Sequence, residues 1–122
     1  ILLKEAASPY LPKSLRASGP AIFQTPLWQG PGLEELSLHS RRLPLYALSP
    51  AGQNIFDFDF PDNCGLVAGL EGPGLMGDWP EERLLSIPMH SGVESLNAAM
   101  AVSMALACRM AGLRRHLKEP CP

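Results

Sequence analysis

The sequence has no paired-cysteine motif, no strong excess of charge and no apolar run long enough to cross a bilayer. Each shortage removes a class of function. Its three cysteines, Cys64, Cys108 and Cys121, lack a CxxC spacing, and its three histidines are scattered. A zinc site takes about four ligands, so no metal is expected. Nor is a disulfide framework; free thiols in a reducing, cytoplasmic setting are expected. The longest uncharged apolar stretch, residues 95–108, falls short of the roughly 20 residues of a membrane helix. A formal net charge of −2 gives no global basic field for nucleic acid, so any such attraction rests on local clusters or a further domain. The sequence opens on Ile1 with neither an initiator methionine nor a signal-peptide pattern, which leads to the expectation that it is a piece of a longer protein.

What is present is enough for one core. Of 122 residues, 46% are apolar and 18% charged, the balance of a folded chain rather than a disordered one. No linker or repeat divides it, so a single domain over residues 1–122 is expected. Ile1-Leu2-Leu3 reads as a strand internal to a sheet. Pro12 suits the first turn of a helix reaching Arg16 or Ala17. Gly19-Pro20 breaks it, and Ala21-Ile22-Phe23 begins a strand stopped near Pro26. Residues 33–42 have helical spacing, and residues 43–48 form the next strand. Ser49-Pro50-Ala51-Gly52 reads as a turn, and residues 55–60 alternate apolar and acidic like a half-exposed strand. Trp28 and Trp79 are expected to cover the sheet. Strands alternating with helices imply an α/β fold with a mainly parallel sheet.

The most informative stretch is residues 64–100. Gly65-Leu66-Val67-Ala68-Gly69-Leu70 is a short apolar run fitting a parallel strand covered on both faces. Gly72-Pro73-Gly74 fits a type II turn, with Gly74 at positive φ. Leu84-Leu85-Ser86-Ile87 is a second buried strand, ended by Pro88. Ser91 and Glu94 have the spacing of a capping box for the helix that follows. From residue 95 to 108 that helix carries no charge and many small residues, the pattern of a helix buried on every side. The glycine-rich turn has three readings. A phosphate loop would want Lys and Ser or Thr where Leu75-Met76 stand, a dinucleotide fingerprint would want a third glycine, and a plain tight turn needs neither.

GLEGPGL together with SIPMHSGVESLNAA resembles the second and third motifs of the SpoU/TrmH-type RNA 2'-O-ribose methyltransferases, members of the SPOUT superfamily. PYLPKSLRASGPAIFQTPLW resembles the family's stretch between its first and second motifs, so the likeness runs from residue 1 to about residue 111. The resemblance implies a SPOUT-type fold with a C-terminal trefoil knot at roughly residues 64–112. It also implies S-adenosylmethionine (SAM) as cofactor, a homodimer, and methylation of a ribose 2'-OH in rRNA or tRNA. The cofactor would lie against Gly69, Gly72, Gly74, Leu75, Ile87, Met89 and Leu96, held largely by backbone groups. Asn97 and Ser95 match residues that line the family's catalytic site, although both also suit a helix N-cap. Glu71 either orients the ribose or braces its own loop. Arg16 matches a recurrent family arginine, for RNA phosphate or for an internal ion pair. Where relatives often have Val-Ser after the Asn, this chain has Ala98-Ala99, which puts any role of that hydroxyl in doubt. The family's first motif, with an Asn and a catalytic Arg, would fall ahead of Ile1. The expectation is therefore that the chain alone, lacking the N-terminal strand and helix, has little or no methyltransferase activity. The alternative reading is a non-catalytic SPOUT-type module for cofactor binding or dimerisation.

Overall fold

The computed structural model describes residues 1–70, 74–93 and 95–116, with side chains as far as residue 112. Three parallel strands form its sheet: β1 (Leu45–Asn54), β2 (Gly65–Val67) and β3 (Leu84–Ser86), in the order β2-β1-β3. Ahead of them come three short helices, α1 (Pro12–Ser18), α2 (Ala21–Gln24) and α3 (Leu33–Ser37), and after them the long α4 (Ala98–His116).

Alternation along the central strand sorts the core into two layers. Ala47 faces Leu33 and Leu36 of α3, with Val67 and Trp79. Tyr46 faces the other way, with Ile55, Leu85 and Ala105 of α4. Leu66 and Val67, and likewise Leu84 and Leu85, divide between the same two layers. Helices therefore cover both faces, as a parallel sheet requires. Burying Leu33, Ile55 and Leu85 completely is worth about 2–3 kcal/mol each.

The sheet departs from the sequence reading inside β1. Ser49-Pro50-Ala51-Gly52, expected to end the strand, is instead an excursion within it: Leu85 of β3 pairs with both Leu48 and Gln53. Pro50 lacks the amide that a ladder position needs. Gly52 carries the chain against β3 so closely that a Cβ there would meet the Leu84 carbonyl carbon and the Leu85 nitrogen at 2.4 Å.

Five other expectations are corrected. Residues 1–3 make one parallel bridge, Leu2 with Gln29, outside the three-stranded sheet. Residues 21–24 form one helical turn and no strand, because Pro20 already has helical dihedrals and its carbonyl accepts from Phe23 N at 3.1 Å. Helix α3 stops at Ser37: its hydroxyl donates to the Glu34 carbonyl at 2.7 Å, and the His39 and Ser40 amides then bond three residues back, tightening the turn. Residues 55–57 form a 3₁₀ turn capped by Asn54, and the Phe58 ring packs tilted against Tyr46 and edge-on to Phe60 rather than joining a ladder. Trp79 is buried as expected, but Trp28 is exposed. Cys64 and Cys108 are free thiols, and Cys121 lies outside the described residues.

Helix α4 starts later than the capping box implies. Gly92 takes φ +97° and Val93 N bonds back to the His90 carbonyl at 3.1 Å, a reversal that keeps Ser91 out of the helix. Asn97 is the cap in its place; Glu94 lies outside the described residues. Nor is α4 buried on every side within this chain. Ala105 is fully buried, while Met100, Leu106 and Met110 are about half exposed.

Candidate functional site

Parallel strands end side by side, and the loops leaving them bound a crevice. Here that crevice is a cavity of about 650 Å³, within the 300–1,000 Å³ of small-molecule sites. Four stretches line it: residues 48–50 in the β1 excursion; residues 68–70, 74 and 75 after β2; Leu85, Ile87 and Met89 along and after β3; and residues 95–98 with Ala101 at the start of α4.

The loop after β2 is tied at its neck. Leu70 N donates to the Gly74 carbonyl at 2.7 Å, and Gly74 N donates to the Leu70 carbonyl at 2.9 Å. Two glycines permit this for different reasons. Gly74 sits at φ +73° with open space where a Cβ would be, so its requirement is conformational. Gly69 has no such dihedral. A Cβ there would lie 2.6 Å from the Gly74 carbonyl carbon and 2.7 Å from Leu75 N, so its requirement is room for backbone to pass backbone. Glu71 and Gly72, both singled out from the sequence, lie outside the described residues.

Asn97 is positioned by its own cap. Its Oδ1 accepts from Ala99 N at 3.0 Å and Met100 N at 3.3 Å, and its carbonyl accepts from Ala101 N at 2.9 Å. Two of the helix's otherwise unpartnered amides are satisfied in this way. Because the oxygen must face those donors, the amide is oriented and Nδ2 is left as a donor with no acceptor among the described residues. Capping and presentation of a polar group are thus one geometry. Ser95, exposed at the same rim, adds a hydroxyl.

Gly69, Gly74, Leu75, Ile87, Met89, Ser95, Leu96 and Asn97 are brought to one cavity from three separate loops. Arg16 is not among its lining residues; it lies exposed on α1. Sequence reasoning missed the wall made by Leu48, Ser49 and Pro50, and the floor at Leu85 and Ala101. A Ser-Pro-x-Gly run after an apolar strand was the available signal for the wall. Among the described residues no cluster of His, Cys, Asp and Glu could hold a metal ion, and no helix is long and apolar enough to cross a membrane.

The model of the SpoU rRNA Methylase family matches residues 1–107. The chain belongs to that family. Among the relatives of this SpoU chain is a Syntrophobacter fumaroxidans protein named ribosomal RNA small subunit methyltransferase G 2, 47% identical over 106 residues; the match spans 87% of this chain and 20% of that protein. The 23S rRNA (uridine(2479)-2'-O)-methyltransferase of Streptomyces viridochromogenes is 34% identical over 116 residues, spanning 87% of this chain and 40% of that protein. The chain thus spans well under half the length of these relatives. The crystal structure of the SpoU methyltransferase AviRb from Streptomyces viridochromogenes, in complex with the cofactor AdoMet, superposes with a TM-score of 0.72 at 31% identity. That match covers 97% of this chain and 47% of AviRb. The SpoU fold and the parallel α/β sheet expected from the sequence agree.

Proposed function

We propose that this chain carries the SAM-binding half of a site that methylates a ribose 2'-OH in rRNA or tRNA. One observation carries the reading: the residues of both sequence motifs, spread over three loops, converge on a single cavity of cofactor size. The donor set suits SAM. Tight glycine turns offer bare backbone to an adenine edge, Leu75, Ile87 and Leu96 offer apolar surface, and no cluster of charge is needed.

When bound, SAM supplies a methyl carbon made electrophilic by its sulfonium. The residues of this chain bind and orient. The backbone at Gly69, Gly74, Ile87 and Leu96 would hold the cofactor, with Leu75 and Met89 closing its sides. Nδ2 of Asn97, fixed by the cap, and the Ser95 hydroxyl would align the ribose oxygen. A 2'-OH is a weak nucleophile unless its proton is taken, a task left to the first-motif arginine that the family resemblance implies, while Glu71 would orient the ribose. Alignment alone contributes much of the acceleration in such displacements. Arg16 is assigned to RNA phosphate. For the chain path we adopt the trefoil knot that the resemblance implies, and for the assembly a homodimer that covers the exposed face of α4 at Met100, Leu106 and Met110.

The test is calorimetry with S-adenosylhomocysteine (SAH), the product left after methyl transfer. Saturable binding of one molecule per protomer is expected. No binding at millimolar SAH would overturn the cofactor assignment. Binding without methyl transfer to unmodified RNA, even in the longer natural protein, would instead favour the non-catalytic module.

A further inference from the structure

Away from the cavity, the segment leading through α1 and α2 carries an unusual surface. Phe23, Trp28 and Tyr10 are the most exposed aromatic side chains described, at 84%, 69% and 64%. All three fall between Glu5 and Glu34, a stretch with no Asp or Glu, in a chain that has 12 such residues. The only charged side chains there are Lys13 and Arg16. They stand three apart on α1 and so share a face.

The aromatic residues sit on pinned backbone. Tyr10 lies in a turn where its amide donates to Ser8 Oγ at 3.3 Å, directly before α1. Phe23 is on α2, which packs against α1. The Trp28 carbonyl accepts from Leu2 N at 2.7 Å, and Gly30 N donates to the Leu2 carbonyl at 2.7 Å. Exposed π surfaces on held backbone, with cations on the helix α1 that packs against α2, are features that bind single-stranded nucleic acid: bases stack on rings while phosphates meet Lys and Arg. A duplex keeps its base faces hidden, so such a surface selects unpaired strand.

We infer that Tyr10, Phe23 and Trp28, with Lys13 and Arg16, dock an unpaired stretch of the RNA by stacking its bases. The inference rests on the RNA reading above but not on the cofactor cavity. It also explains how a chain of net charge −2 would engage RNA, through a stretch, residues 6–33, whose only charges are Lys13 and Arg16.

Trp28 provides the readout, because the other tryptophan, Trp79, is buried with Nε1 bonded to the Met76 carbonyl. Titration of the full chain with a short oligouridylate should quench tryptophan emission, and the quenching should vanish in Trp28→Leu. Fluorescence anisotropy with the labelled oligomer should show affinity falling about tenfold in Phe23→Ala and in Trp28→Ala. Trp28→Tyr, which keeps a stacking face, should retain most of it. Lys13→Gln should flatten the slope of log affinity against log salt by about 0.7. Equal affinity for oligouridylate and a hairpin duplex, or unchanged affinity in the aromatic variants, would overturn the inference. So would a Phe23→Ser variant that alters the sedimenting mass yet binds RNA normally, since a second copy would then be what covers the patch. SAH calorimetry on the same proteins separates the two proposals. Normal SAH binding with unchanged RNA affinity removes this surface alone; stacking without SAH binding by the wild-type chain removes the cofactor site alone.

Discussion

Gly69→Ala adds one methyl group at the neck of the proposed cofactor loop, and its effect can be worked from the geometry. Gly69 is not among the positive-φ glycines, which are Gly19, Gly74, Gly77 and Gly92, so alanine faces no backbone penalty there. The added Cβ would lie 2.6 Å from the Gly74 carbonyl carbon, where ordinary contact begins at 3.4 Å. The loop backbone must therefore retreat by about 0.8 Å. Overpacking of this kind costs about 1–3 kcal/mol. The retreat also strains the paired hydrogen bonds between Leu70 and Gly74, each worth about 1 kcal/mol net. A combined loss of about 2–4 kcal/mol, falling on the loop that holds the ligand, weakens SAH about 30- to 1,000-fold at 1.4 kcal/mol per decade. Calorimetry with SAH measures it, and far-ultraviolet circular dichroism checks that the sheet persists. Gly74→Ala is the comparison. Its side chain enters open space, and only the left-handed dihedral opposes it, at about 1–2 kcal/mol. Gly74→Asn should be milder still, and Gly74→Val worst of the three. The reasoning is refuted if Gly69→Ala binds SAH within twofold of wild type, or if Gly74→Ala is the more damaging of the two alanines.

Asn97→Ala should lower stability by about 1 kcal/mol through the lost cap, seen as a lower urea midpoint. Asn97→Asp should keep that stability, since a carboxylate also caps and favours a helix N-terminus, yet in the longer natural protein lose methyl transfer because the donor Nδ2 is gone; retained activity there would assign Asn97 to capping alone. Gly52→Ala drives a Cβ into the β3 backbone at 2.4 Å and should cost at least about 1–3 kcal/mol in the same assay; an unchanged midpoint would mean the excursion in β1 is pliable. Sedimentation at micromolar concentration should give a dimer for the wild type and a monomer for Leu106→Glu, because a charge would enter the face proposed to pair; a dimer in both would place the interface elsewhere.

Local information was sufficient wherever one residue's chemistry fixed the backbone. Pro12 opens α1, Gly74 takes positive φ, and Pro88 follows β3 closely. The apolar runs at Gly65–Val67 and Leu84–Ser86 read as buried parallel strands because both neighbours of each side chain are core. The same logic failed where the outcome depended on a partner outside the segment. Ala21-Ile22-Phe23 has strand composition, but Pro20 already holds helical dihedrals and its carbonyl takes the Phe23 amide, so it becomes a helical turn. Residues 55–60 alternate correctly for a strand, yet Asn54 caps a tight turn and Phe58 finds Tyr46 instead. Ser49-Pro50-Ala51-Gly52 looks like a stop, yet β3 continues past it and pairs again at Gln53 and Asn54.

The sequence by itself determined the family, the parallel α/β character and the two motifs whose residues face the cavity, because glycine turns and apolar runs are written in single residues. Only the tertiary structure decided that Gly69 is needed for space and Gly74 for its dihedral, since that distinction depends on which backbone lies opposite. Only the structure, likewise, made Asn97 rather than Ser91 the cap of α4 and brought Leu48, Ser49 and Pro50 into the cavity wall. It also left Tyr10, Phe23 and Trp28 at the surface, for whether an aromatic ring is buried depends on what packs against it, and no local pattern encodes that.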